Sequence, residues 1–234
     1  MNYLLLICTD GESTPEIAAT MREHGPKWAQ EMDARGVRLL GNGLEGRDTA
    51  KTVRVRDGQT LITDGPFTDS KEFIGGLDII QAESLDEAIE VAAKHPVSWY
   101  FSIEVRPFRS EVKPPADWSY EQLRYLLLPC LDGIPESDEV EEQLMQDLRA
   151  WGELVDSRGV GVFRAPLAPA STATTVRVRD GETLLTDGPF VDTKEYVGGT
   201  IILSCETLDE ALELAAQHPL ARFHMIEVRT FWGA

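Results

Sequence analysis

The chain has 234 residues, with 22 lysines and arginines against 40 aspartates and glutamates, a formal charge of −18. That balance shows no clustered basic surface for phosphates, so nucleic acid is set aside as a direct partner and the acidity reads as solubility. Three cysteines (Cys8, Cys130, Cys205) without C-x-x-C spacing give no zinc site or disulfide framework, and no apolar run approaches the ~20 residues of a membrane helix.

The N-terminus lacks a basic region and runs straight into a strand, so no signal peptide and a soluble, cytoplasmic protein are expected. Tyr3 to Cys8 is a short apolar run, read as a buried strand. Ser13-Thr14-Pro15-Glu16 is a helix start. The helix runs toward Arg35 and stops at Gly36, with Gly25-Pro26 predicted to kink or break it. Val37 to Leu40 is a second strand. Thr52 to Arg56 alternates apolar and polar residues and then turns at Asp57-Gly58, a hairpin signal, with Thr60 to Thr63 returning. Asp64-Gly65-Pro66-Phe67 is a further turn, and an apolar strand follows Gly75-Gly76 to Ala82. Ser84-Leu85-Asp86-Glu87 is a capping box whose helix ends at His95-Pro96; Ser98 to Arg106 is the last strand.

The same order then recurs. Residues 52–108 and 175–231 align without a gap, 35 of 57 positions being identical. YLLLICTDG at 3–11 matches YLLLPCLDG at 125–133, and Trp28 matches Trp151. Two domains are therefore expected, 1–107 and 122–234, with a linker at 108–121 made semi-extended by Pro114-Pro115. In the second copy, Leu148-Arg149 stands at the place of Gly25-Pro26, so a clean helix is predicted from Ser137 to Ser157. The fold class is α+β: each copy reads as a ferredoxin-like domain, two helices on a mainly antiparallel sheet. Such a sheet leaves one face bare, so the two copies are expected to close sheet to sheet into an intrachain pseudo-dimeric α/β barrel.

The repeated T-D-G-P-F at 63–67 and 186–190, with D-x-K-E and G-G after it, resembles the signature of the YCII-related superfamily, DGPF branch. VRVRDG, the LDEA helix opening, the A-x-x-H-P helix end and the terminal IEVR strand fit as well, and the resemblance covers both copies. It implies the dimeric α+β barrel fold and acid–base work by a His–Asp pair, including lyase-type chemistry on small cyclic or aromatic substrates. It also implies, for some DGPF proteins, a regulatory link to alternative sigma factors.

Several residues are candidates for chemistry. His24 lies on the first helix four residues before Trp28, roughly where the superfamily's histidine falls, and an imidazole suits proton transfer near neutral pH. The second copy has Asp147 there, so the position is either a one-sided catalytic base or a solvated helix face. His95 and His218 stand at helix ends, where a histidine complements the helix dipole and bonds the last carbonyls. Asp64 and Asp187 can cap their turns. The acids and lysines that follow (Asp69, Lys71 and Glu72; Asp192, Lys194 and Glu195) offer acid, base and cation, or a salt-bridged surface loop. Arg54, Arg56, Arg177 and Arg179 project from one face of their strands, either to hold a carboxylate or phosphate or as a solvated edge. Cys8 and Cys130 are thiolate candidates beside a helix start, or small core residues. Glu104 and Glu227 sit mid-strand among apolar residues, as substrate-facing bases or as partners of Arg106 and Arg229.

Two functions follow from this sequence. One is a cofactor-independent, metal-free lyase or isomerase acting through His24 or a loop acid on a small-molecule ligand. The other is a non-catalytic ligand-binding or regulatory protein. Further homo-oligomerisation is open under both.

Overall fold

Turn chemistry sets the hairpins. Asp57 and Gly58, with φ of 52° and 74°, form the two-residue loop that matches strand twist; Asp180 and Gly181 repeat it. The structure, a computed structural model, describes residues 1–11, 14–68, 70–114, 118–133, 138–190 and 194–234. The first copy contains β1 (Asn2–Thr9), α1 (Pro15–Ala34), β2 (Arg38–Gly43), β3 (Lys51–Arg56), β4 (Gln59–Asp64), β5 (Phe73–Gln81), α2 (Leu85–Lys94) and β6 (Ser102–Pro107). The second contains β7 (Tyr125–Leu131), α3 (Asp138–Ser157), β8 (Gly161–Pro166), β9 (Thr174–Arg179) and β10 (Glu182–Asp187). It continues with β11 (Tyr196–Val197), β12 (Gly199–Leu203), α4 (Leu208–Gln217) and β13 (Met225–Thr230).

The hairpins do not stay with their own copies. One antiparallel sheet runs β10-β9-β6-β1-β5-β2 and the other β4-β3-β13-β7-β12-β8, with β11 also on β7. Along each six-strand path four strands come from one copy in the order of a βαββαβ unit, and the remaining two are the hairpin of the other copy; β11 adds a seventh strand to the second sheet. The registers fix this: Ile103 faces Val176 on β6–β9, and Ile226 faces Val53 on β13–β3. The chain accordingly divides into two compact units. One is Met1–Leu44, Ser70–Pro114 and Leu167–Asp192; the other is Glu45–Asp69, Pro115–Pro166 and Thr193–Ala234. Neither is a continuous copy.

Burial explains why the exchanged strands hold. In the first unit Tyr3, Leu5, Trp28, Met32, Ile80 and Ala92 form a core between sheet and helices, and Val176 from the foreign hairpin is buried in it. The second unit repeats this with Tyr125, Leu127, Trp151, Val155, Leu214 and the foreign Val53. A fully buried valine contributes ~1.5–3 kcal/mol. Between the copies, Phe108 bridges Leu167 and the Val112 amide donates to Asn2, so part of the expected linker is bonded.

Two local expectations change. Helix α1 continues through Gly25-Pro26. Pro26 and Arg22, whose carbonyl loses its helical partner to the proline, are both exposed, and buried Trp28 and Met32 hold the helix down. The last strand starts at Ser102, not Ser98, because Pro96–Trp99 forms a 3-10 turn. The second long helix begins at Asp138; Ser137 and Pro115 lie outside the described residues.

Candidate functional site

The D-G-P-F segments close the exchanged hairpins. Gly65 and Gly188, both at φ 100°, turn the chain where a side chain would be strained. The Thr52 hydroxyl donates to the Gly65 carbonyl at 2.9 Å and the Gly65 amide to that of Ala50 at 2.9 Å; Thr175, Gly188 and Ala173 repeat this at the same distances. The turn then presents one amide to a buried carboxylate. Phe67 donates to Glu227 Oε2 at 2.8 Å, and Phe190 donates to Glu104 Oε2 at 3.1 Å. Each glutamate is 1% exposed and also accepts from the arginine two residues on. Arg106 Nη2 bonds Glu104, and Arg229 Nη1 bonds Glu227 at 3.2 Å. The arginines finish on backbone: Arg229 on the Glu45 carbonyl at 2.8 Å, Arg106 on that of Ala168 at 3.3 Å. Burial raises the Glu227 carboxyl above the ordinary carboxylate range, against the pull of Arg229 and the Phe67 amide. The glutamates are paired with arginine, as one of their two sequence readings has it, and the D-G-P-F amide is their third partner.

At the far end of each hairpin an arginine grips carbonyls. Arg56 bonds those of Ala221, Arg222, Phe223 and His224; Arg179 bonds those of Ser98 and Tyr100. Arg56 is exposed and Arg179 half-buried, and both are engaged with these carbonyls.

Arg54 and Arg177 lie elsewhere. Across the face turned away from the helices, Cys8 on β1 opposes Ser102 on β6, and Arg177 on β9 is one step beyond the Ile103–Val176 pair. The second unit has Cys130, Met225 and Arg54 in the same row, with Arg54 Nη2 3.3 Å from the Met225 sulfur. Arg177 Nη2 instead holds Glu72, at 3.2 and 3.3 Å from its two oxygens. Both thiols are fully buried and donate to carbonyls, Cys8 to Leu6 and Cys130 to Leu128, each at 3.3 Å. Burial, reinforced by Glu104 and Glu227, pushes them well above the usual thiol range. They stay protonated at neutral pH, so the thiolate reading fails and the core reading stands.

A family model described as the YCII-related domain matches residues 1–109 and again 126–232. The chain belongs to the YCII-related family. It carries two tandem copies of that domain. An uncharacterized protein of Rhizobium meliloti (strain 1021) is 41% identical over 80 residues, 34% of this chain; the chain spans 64% of that relative's length.

The two YCII-related copies also account for the asymmetric histidine. His24 is half-buried and packs edge-on against Trp99, ring centres 5.3 Å apart. In the second copy Asp147 stands in its place and Arg222 in that of Trp99, and these two form an ion pair. Both pairs tie the long helix to the 3-10 turn, so the position changes residue type without losing its contact. Of the loop residues, Asp64 is exposed and paired with Lys51, and Lys71 is 3.3 Å from Asp10. Asp187 and Lys194 are exposed. Asp69 and Asp192 lie outside the described residues. An open groove of about 510 Å³ in the first unit is lined by Met1, Tyr3, Leu85, Pro107, Thr174 and Asp187, among others, but not by His24. Among the described residues, no group of three or more His, Cys, Asp or Glu side chains is placed to hold a metal ion.

His95 and His218 differ from expectation. They are buried, edge-on to Trp28 and Trp151, and their Nδ1 atoms accept the amides of Val97 and Leu220 at 3.1 and 3.2 Å. Burial lowers both to about 3, so they are neutral acceptors that start the 3-10 turns rather than cations at a helix end. Beside His95 lies a cluster that the sequence motifs do not mark. Asp78 bonds Arg38 Nε at 2.6 Å and stands 3.7 Å from His95 Nε2. Burial, opposed by Arg38, raises Asp78 to about 6. Gly41 makes room, since a Cβ there would come within 2.0 Å of the carboxylate. The signal was available: Asp78 is the one acid in an apolar strand, and its repeat partner is Ile201.

Proposed function

We propose that the chain is a ligand-binding protein of the YCII-related family that holds a small molecule without converting it. The observation that carries this reading is where the repeated acids, bases and cations are committed. Glu104 and Glu227 are tied to arginine and to a D-G-P-F amide. His95 and His218 cap turns as neutral rings, and the His24 position exchanges an aromatic pair for an ion pair between copies. A general acid or base needs reach to a substrate proton and a pKa suited to the working pH; each of these groups is instead occupied within the fold. The finer architecture, two ferredoxin-like domains closing as a pseudo-dimeric barrel, belongs to the same proposal. Reciprocal exchange of hairpins supports it, and small-angle scattering tests it.

Native mass spectrometry of protein purified without denaturation, followed by release of any bound compound and re-incubation with fresh protein, checks the function. The expected outcome is a compound returned unchanged. Conversion to a second compound, abolished by His24→Ala, would restore the lyase or isomerase reading.

A further inference from the structure

The row Cys8–Ser102–Arg177 differs from its repeat at one position. Where the second unit has Met225, the first has serine, shorter by a thioether and a methyl. Met225 is the acceptor that Arg54 uses, at 3.3 Å. Ser102 is fully buried, and among the described residues its hydroxyl has no hydrogen-bond partner, an unfavourable state for a buried donor. Facing it across the ladder, Arg177 is 36% exposed and carries a planar carboxylate, that of Glu72, which is 32% exposed. The ion pair therefore reaches solvent, while Ser102, its neighbour across the ladder, does not.

We propose that Arg177 and Ser102 form a subsite for the carboxylate of a small monoanionic acid. One ligand oxygen takes the acceptor place that the methionine sulfur fills in the other unit, and the Ser102 hydroxyl donates to it. The guanidinium binds the carboxylate as it now binds Glu72, which swings out to water. One guanidinium balances the single charge of a carboxylate but not the double charge of a phosphate dianion, so the charges favour a monoanion. In the second unit Met225 fills the corresponding place. The subsite rests on the ligand-binding reading above but fails separately from it: a retained compound indifferent to Ser102 would leave that reading standing and remove this one.

The test is an NMR titration of the full chain with acetate, against sodium chloride at equal ionic strength, following the arginine Nε–H resonances. Saturable shifts centred on Arg177, lost in Ser102→Met and weakened roughly tenfold in Ser102→Ala, are expected; tenfold corresponds to about 1.4 kcal/mol, one hydrogen bond. Ser102→Ala keeps the space and guards against a methionine variant that misfolds. No saturable shift up to high millimolar acetate, or a shift unchanged in both variants, would overturn the proposal.

Discussion

Removing the carboxylate of Glu227 leaves Arg229 buried with its charge uncompensated, the costly way to break an internal ion pair. Glu227→Ala is expected to lower stability by ~3–5 kcal/mol in urea denaturation. The histidines make a second prediction. His218 binds a proton near 6.5 in the unfolded chain but only near 3 when folded. Its contribution to stability is thus complete above pH 6.5 and is lost as the pH falls from 6.5 toward 3. Asp78 works the other way. Its folded value of about 6 exceeds 3.8, so its contribution is complete below 3.8 and is lost as the pH rises through 6. His218 has no such acid at the repeat position, Ile201, and gives the cleaner test. In His218→Asn the urea midpoint should fall less between pH 7 and pH 5 than in the wild type; an equal fall would contradict the buried neutral ring.

At the scale of elements, compensation between the copies is the informative pattern. If His24–Trp99 and Asp147–Arg222 serve one contact, His24→Asp alone should lower the melting temperature, and His24→Asp with Trp99→Arg should recover it. A double-mutant cycle measures the coupling. The same comparison shows what the sequence made legible. Strand and helix identities followed from period and turn chemistry, because Asp57-Gly58, the Ser84 cap and the apolar runs act locally. The exchange of β3–β4 and β9–β10 was hidden, because the alternation of TVRVR fits the edge strand of either copy's sheet equally well. Pairing partners are a tertiary choice made by Val53, Val176 and the glutamates. For the same reason Glu104 was legible as an arginine partner but not as the acceptor of Phe190, 86 residues away. The role of Asp78 is not legible in the sequence because a lone acid in an apolar strand gains its meaning only from Arg38 and His95, which reach it from other elements.

For the molecule as a whole, duplication makes the exchange covalent. Each copy contributes a hairpin that the other needs to complete its sheet, and the repeated D-G-P-F motif forms the fastening. The tie is crosswise: Phe67 of the first copy bonds Glu227 of the second, and Phe190 of the second bonds Glu104 of the first. Amide NMR of two single variants separates this from a chain in which each copy keeps its own hairpin. Glu227→Gln should shift the Phe67 amide and leave Phe190 in place, and Glu104→Gln should do the converse. If Glu104→Gln moves Phe67 instead, the hairpins stay with their own copies and the crosswise fastening is wrong.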